Sequence, residues 1–265
     1  MVDVSLTLEE KASHLAKQLF GNNSKKCASF TNSLLDICAR VQGRDFLLIH
    51  NPGGFGSMSF DHLLEWERSV VEGVDATIEQ LGYRLVLIQH FRTDNTWWAH
   101  ISEVKEQIRF SSKGIYPKAI VLIAELKFVV QHFSNLKIIL IGASQGAAFS
   151  NAVMRQLGEC PRVYSIELGI FFAHKPRRVI TARTLVIDSN GVTPDPVSHR
   201  NLRAIVGAYL IAPLRWIKYW LQGKRQRITY CLNAPGHNYD WDYFEVQRQI
   251  KDFLNLNFGT KVTGR

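Results

Sequence analysis

The chain is poor in cysteine: four occur among 265 residues, Cys27, Cys38, Cys160 and Cys231. None forms a Cys-x-x-Cys pair, and none stands at metal-ligand spacing from a histidine. That pattern argues against a structural metal centre or a disulfide scaffold and fits a reduced, intracellular, cytoplasmic chain. Long apolar runs are also missing; none reaches the ~18–20 residues that span a bilayer. Residues 1–20 carry Glu9, Glu10 and Lys11 and have no apolar centre, so a secretory signal is not expected. Gly-x-Gly-x-x-Gly is absent, and the glycine-rich loop at 51–57 lacks the Gly-Lys-Ser/Thr ending of a P-loop, which argues against nucleotide binding. There is no internal repeat and no low-complexity linker.

What the chain has in excess is positive charge, +9 overall and unevenly placed. Residues 175–227 hold eleven Lys and Arg, opposed only by Asp188 and Asp195. The remainder is neutral overall. A block of one sign suits an anionic partner, or simply a solvated basic face. No nucleic-acid reader motif accompanies it, so nucleic acid is not the expected partner.

The periodicity alternates. Residues 1–44 show apolar residues at helical spacing, broken at Gly21-Asn22-Asn23-Ser24, and read as a helical N-terminal extension. From residue 45 onward, short β-branched runs at 45–50, 83–90, 137–141, 162–168, 183–188 and 227–232 alternate with helical patterns at 61–81, 117–133, 147–157 and 242–256. This spacing predicts an α/β fold, a three-layer α/β/α sandwich around a mostly parallel sheet of about six strands, spanning residues 45–257. In such sheets the loops at the carboxyl ends of the strands converge on one edge, where ligands bind.

One loop on that edge stands out. Lys137-Ile138-Ile139-Leu140-Ile141 reads as a buried strand, and a helical pattern starts at Ala147. Between them lies Gly142-Ala143-Ser144-Gln145-Gly146. Gly-x-Ser-x-Gly in a strand–turn–helix setting is a nucleophile elbow, because a serine on so sharp a turn leaves space only for glycine two residues to either side. A serine hydroxyl needs a base to take its proton, and a histidine oriented by a carboxylate supplies one. His237, in Ala234-Pro235-Gly236-His237-Asn238 after the last predicted strand, is the best-placed base; His50 and His90, at strand ends, are the runners-up. Asp188 and Asp195 follow the fifth predicted strand, and Glu167 ends the fourth.

These features in this order resemble the α/β-hydrolase superfamily: a glycine-rich loop after an early strand, the Gly142–Gly146 elbow, an acid after a later strand and a Gly-His after the last one. The resemblance implies a triad of Ser144, Asp195 and His237, with Asp188 as the alternative acid. The family sets its acid a few residues beyond the strand, which favours Asp195. The resemblance further implies an oxyanion hole from the Gln145 N–H and one amide of the loop after the first strand. Asn51 stands there in place of the usual glycine, and Pro52 has no N–H, leaving Gly53, Gly54 or Phe55. The sheet lacks the first strands many relatives have, and no cofactor or metal is implied.

Residues 201–226 occupy the position of an unusual insertion. They carry Trp216, Trp220, Tyr209 and Tyr219 among aliphatic residues, and Lys224-Arg225-Gln226-Arg227 closes the run. Pro213 is expected to split it into two helices. Its apolar residues suit core packing, a flap over an apolar pocket shared with Trp97 and Trp98, a subunit contact, or peripheral contact with an anionic membrane through 201–227. The expected function is a serine hydrolase cleaving an ester or thioester with an apolar acyl group. An acyltransferase using the same residues, or a non-catalytic binding protein of this fold at an anionic membrane or partner surface, are the alternatives.

Overall fold

The computed structural model describes residues 6–54, 56–92, 116–223, 231 and 234–261. Helices α1 (Leu8–Phe20) and α2 (Ser24–Val41) come first. Then follow β1 (Phe46–Asn51), a 3-10 turn at Phe60–His62, α3 (Glu65–Gln80), β2 (Leu85–Gln89) and α4 (Pro117–His132). The elbow pair is β3 (Lys137–Ala143) and α5 (Gln145–Leu157). Next are β4 (Val163–Leu168), a 3-10 turn at Phe172–Arg177, β5 (Thr184–Ile187), α6 (Leu202–Leu221) and α7 (Phe244–Phe258).

Five strands form one all-parallel sheet in the order β2-β1-β3-β4-β5. The sixth expected strand, 227–232, falls almost entirely outside the described residues. Both faces of the sheet are covered, as parallel strands require. Alternate residues of β1 point opposite ways. Leu47 and Ile49 join a core under α4 and α5, while Phe46 and Leu48 join one under α3 and α7. The result is a three-layer α/β arrangement.

The first two helices are anchored in that arrangement. Ala12, Ala16, Phe30, Leu34 and Cys38 are buried in the same core as Leu122, Leu126 and Phe149. A Thr7–Glu10 capping box opens α1, with the Thr7 hydroxyl accepting from the Glu10 N–H and the Glu10 carboxylate accepting from the Thr7 N–H.

The long helix expected from residue 61 starts instead at Glu65, because Phe60–His62 is a 3-10 turn whose Phe60 N–H donates to Gln89 Oε1. A second difference is α6, which is one helix of 20 residues with Pro213 inside it. The proline lies on the exposed face, where the carbonyl its ring leaves without a donor can be solvated, so the helix continues through it.

Glu125, on α4, is buried, and burial pushes its carboxyl up to about 7 from an ordinary 4.5. Between those values the folded chain keeps a proton that the unfolded chain has lost. Stability therefore falls as pH rises through that window and levels off above it. We predict that Glu125→Gln changes stability little below pH 4.5. Above pH 7 it should stabilise the fold by up to about 3 kcal/mol in urea titrations.

Candidate active site

The elbow is built by close approach of main chains. Ser144 has φ 53° and ψ −112°, one of two non-glycine residues with positive φ among those described. Such a conformation costs on the order of 1–3 kcal/mol and persists only where its surroundings impose it. Here they do. A Cβ on Gly146 would lie 2.0 Å from the Asn51 carbonyl oxygen, and one on Gly142 would lie 2.4 Å from the Gly146 backbone. Both glycines of the motif are thus fixed by space.

The Ser144 N–H donates to the Leu168 carbonyl at the end of β4, 2.8 Å away. The next residue, Gly169, faces the acid: a Cβ there would meet Asp195 Oδ2 and the Tyr239 hydroxyl, each at 2.6 Å. The serine's turn, Asp195 and Tyr239 therefore share the carboxyl edge of the sheet.

Asp195 and His237 are paired. His237 Nδ1 lies 2.8 Å from Asp195 Oδ2, and the aspartate is fully buried. Tyr239 donates its hydroxyl to the same oxygen at 2.5 Å, and the Val197 N–H donates to Oδ1 at 2.8 Å. With donors on both oxygens, the carboxylate acts as an acceptor, so the imidazole proton sits on Nδ1 and Nε2 carries the free lone pair. Burial, then the Asp195 charge and its hydrogen bond, push the Tyr239 phenol well above its ordinary range, which keeps it a donor. Trp66 from α3 meets the His237 ring edge-on at 6.2 Å, and Tyr239 meets it at 5.9 Å. The buried Trp66 Nε1 has no hydrogen-bond partner among the described residues.

Asp188, the alternative acid, is committed elsewhere. Arg178 Nη1 reaches its two carboxylate oxygens at 2.9 and 3.0 Å, and Lys175 Nζ lies 3.0 Å from Oδ2. Burial pushes the Asp188 carboxyl up, but Arg178 and Lys175 outweigh it and hold it below its ordinary range. Glu167 belongs to the same cluster: Arg178 Nε donates to it at 2.8 Å, and Asn151 and Ser165 donate to its other oxygen. Both acids clamp the ends of β4 and β5 through one buried guanidinium.

The runner-up histidines stand in other surroundings. His50 Nε2 lies 3.0 Å from Glu67 Oε1, both side chains buried. The Gln89 carbonyl accepts from the Phe60 N–H, so its amide donates to His50 Nδ1 at 3.2 Å. That fixes the His50 proton on Nε2, facing the Glu67 carboxylate. His90 is stacked on Phe149 at 5.2 Å, and burial, then Arg92 and Lys118, push it down to about 4.

The loop after β1 corrects one expectation. The Gly53 N–H donates to Glu67 Oε1 at 2.9 Å and cannot also serve an oxyanion. Gly53 instead packs its Cα side against the Ala143 carbonyl, where a Cβ would lie at 3.4 Å, and so sets the loop beside the elbow. Gly54, exposed and with φ 55°, has an amide that donates to no described group. The Gln145 N–H belongs to the first turn of α5, whose amides have no internal acceptor. Phe55, Trp97 and Trp98 lie outside the described residues. The atypical Asn51 acts in the framework: its amide donates to the Ser150 hydroxyl at 2.8 Å and ties β1 to the elbow helix.

The structure thus pairs Asp195 with His237 beside the elbow, while Asp188 and Glu167 pair with Arg178 and His50 pairs with Glu67. Glu67, Trp66 and Tyr239 were not anticipated. In the sequence Trp66 is one more apolar position of an amphipathic helix, and nothing marks a tyrosine two residues past a histidine. Among the described residues no cluster of His, Cys, Asp and Glu could hold a metal ion. Compared with known proteins, the chain matches no family model, no curated protein and no solved structure.

Adding one methyl at Gly146 tests the elbow directly. Gly146→Ala should destabilise the fold by about 3 kcal/mol in chemical denaturation, since main chain cannot yield as a flexible side chain can. Ala148→Gly, close by on the same helix, loses helix propensity and one buried methyl and should cost less, about 1–2 kcal/mol.

Proposed function

We propose that the chain is a serine hydrolase of the α/β-hydrolase type that cleaves a carboxylic ester or thioester with an apolar acyl group. The observation that carries this reading is the oriented imidazole. Asp195 fixes the His237 proton on Nδ1, and the nucleophile-type turn of Ser144 lies on the same sheet edge.

In this reading His237 Nε2 takes the Ser144 Oγ proton as the oxygen attacks the acyl carbon, and a tetrahedral oxyanion forms. The Gln145 and Gly54 amides donate to that oxyanion. The imidazolium returns the proton to the leaving alcohol or thiol, leaving an acyl-enzyme. Water then attacks with His237 again as base, and the acid is released. Asp195 stabilises the imidazolium, and Tyr239 and Val197 hold the carboxylate in place. Ser144 and His237 share no hydrogen bond here; contacts of this kind commonly tighten only in the substrate complex. Resolution of the acyl-enzyme by an alcohol or amine would make the protein an acyltransferase with the same groups. In this reading the protein works in a reducing, intracellular compartment, where cysteines do not pair.

Hydrolysis of p-nitrophenyl acyl esters of increasing chain length tests the reading. The protein should turn over at least one of them, and Ser144→Ala should lower kcat roughly ten-thousand-fold. If folded wild type hydrolyses none, the reading fails. The two aspartates should separate cleanly. Asp195→Asn should lower kcat by on the order of a thousand-fold or more, and because both carboxylate oxygens face donors it should also cost about 1–3 kcal/mol of stability. Asp188→Asn should leave kcat within about threefold of wild type and cost about 1–2 kcal/mol of stability, discounted because this carboxylate is partly exposed.

A further inference from the structure

Helix α6 is laid on the protein with its apolarity facing outward. Its inward side is small: Ala208 and Ala212 are buried. Leu202, Val206, Leu210, Leu214, Ile217 and Leu221 are all exposed, Leu210 and Leu221 by more than 70%. Their spacing of three and four places them on one continuous stripe. Trp220 extends the stripe and is 64% exposed. An ordinary surface helix shows the reverse arrangement, so packing on the core does not account for these side chains.

The charge of the segment that carries the stripe has one sign. From residue 196 to 239 there is no Asp or Glu, against seven Lys and Arg: 200, 203, 215, 218, 224, 225 and 227. Arg203 and Lys218 lie on α6 itself and are exposed. Lys224, Arg225 and Arg227 follow the helix in sequence, outside the described residues. A protein core or a neutral pocket has no need of such a set. A bilayer carrying anionic headgroups does, because the apolar stripe enters the acyl boundary while basic side chains reach to the phosphates. No described helix is long and apolar enough to cross a membrane, and the charges along α6 suit a helix lying in the plane of the surface.

We propose that α6 is a docking surface for an anionic lipid bilayer, and that the substrate of the Ser144 site is an acyl ester drawn from that surface. The second clause rests on the hydrolase reading. Its support is position. The helix starts seven residues after Asp195 and the chain returns from it to His237, so the stripe is the segment joining the acid to the base. Arg215 Nη1 also donates to the Cys231 carbonyl, which ties the helix to the segment leading back to His237.

The test uses the full chain with vesicles of phosphatidylcholine alone or phosphatidylcholine with phosphatidylserine. Binding is read by co-sedimentation and tryptophan emission, alongside hydrolysis of a short, water-soluble acyl ester. Wild type should bind the anionic vesicles at least about tenfold more tightly than the neutral ones, and added salt should weaken this. The triple substitution Leu210→Ser, Leu214→Ser and Trp220→Ser should abolish vesicle binding and leave the soluble-ester rate and thermal transition unchanged. Arg203→Glu with Lys218→Glu should remove the preference for the anionic lipid. Soluble-ester turnover without vesicle binding overturns the docking proposal and spares the hydrolase reading. Vesicle binding without any ester turnover supports docking and overturns the hydrolase reading. A concentration-dependent dimer that the triple substitution dissociates, with no vesicle binding, would make the stripe an interface between copies and overturn the proposal.

Discussion

The contact on which the rest of the site depends is the approach of Gly146 to the carbonyl of Asn51. No side chain fits between the start of α5 and the end of β1. That distance holds the elbow helix tight against the sheet and forces the turn at Ser144 into a conformation that serine avoids. The Asn51 amide then reinforces the junction by bonding Ser150 one turn further along. On the other side, the Ser144 N–H is held by β4, and Gly169 leaves space for the Asp195 carboxylate. The turn at Ser144 and the space beside it for Asp195 are thus set by main-chain packing.

Two buried carboxylate clusters divide the work at this edge of the sheet. In one, Arg178 neutralises Glu167 and Asp188 and fastens β4 to β5. In the other, Asp195 is satisfied by a phenol, an amide and an imidazole. A carboxylate shared with arginine has little left to give a histidine, whereas one held by neutral donors keeps its charge for an imidazolium. A third pair, Glu67 and His50, resembles an acid–base couple but is turned to structure. The Glu67 oxygen that meets His50 also takes the Gly53 amide, which fixes the loop carrying Gly54.

The sequence was most informative where periodicity and spacing carry physical meaning. All five described strands fall within or overlap predicted runs, because β-branched clusters in a parallel sheet have few alternatives. Ser144 and its glycines were legible because sterics restrict that turn. The resemblance favoured Asp195 over Asp188, but the residues alone do not show which of the two meets His237. That depends on where Arg178 lands, and nothing in Lys-Pro-Arg-Arg marks which cation is buried. Gly53 was unreadable as an oxyanion donor for the same reason: its competitor, Glu67, sits fourteen residues away on α3. The outward face of α6 was equally hidden, since composition does not say which side of a helix meets the protein.

The central claim is that Ser144 is a nucleophile activated by His237. It is tested most directly by incubating the folded protein with a fluorophosphonate probe and mapping the adduct by peptide mass spectrometry. The account predicts one adduct, on Ser144, whose formation is lost in His237→Ala. A native protein that stays unmodified, or one modified elsewhere with Ser144 untouched, would contradict it.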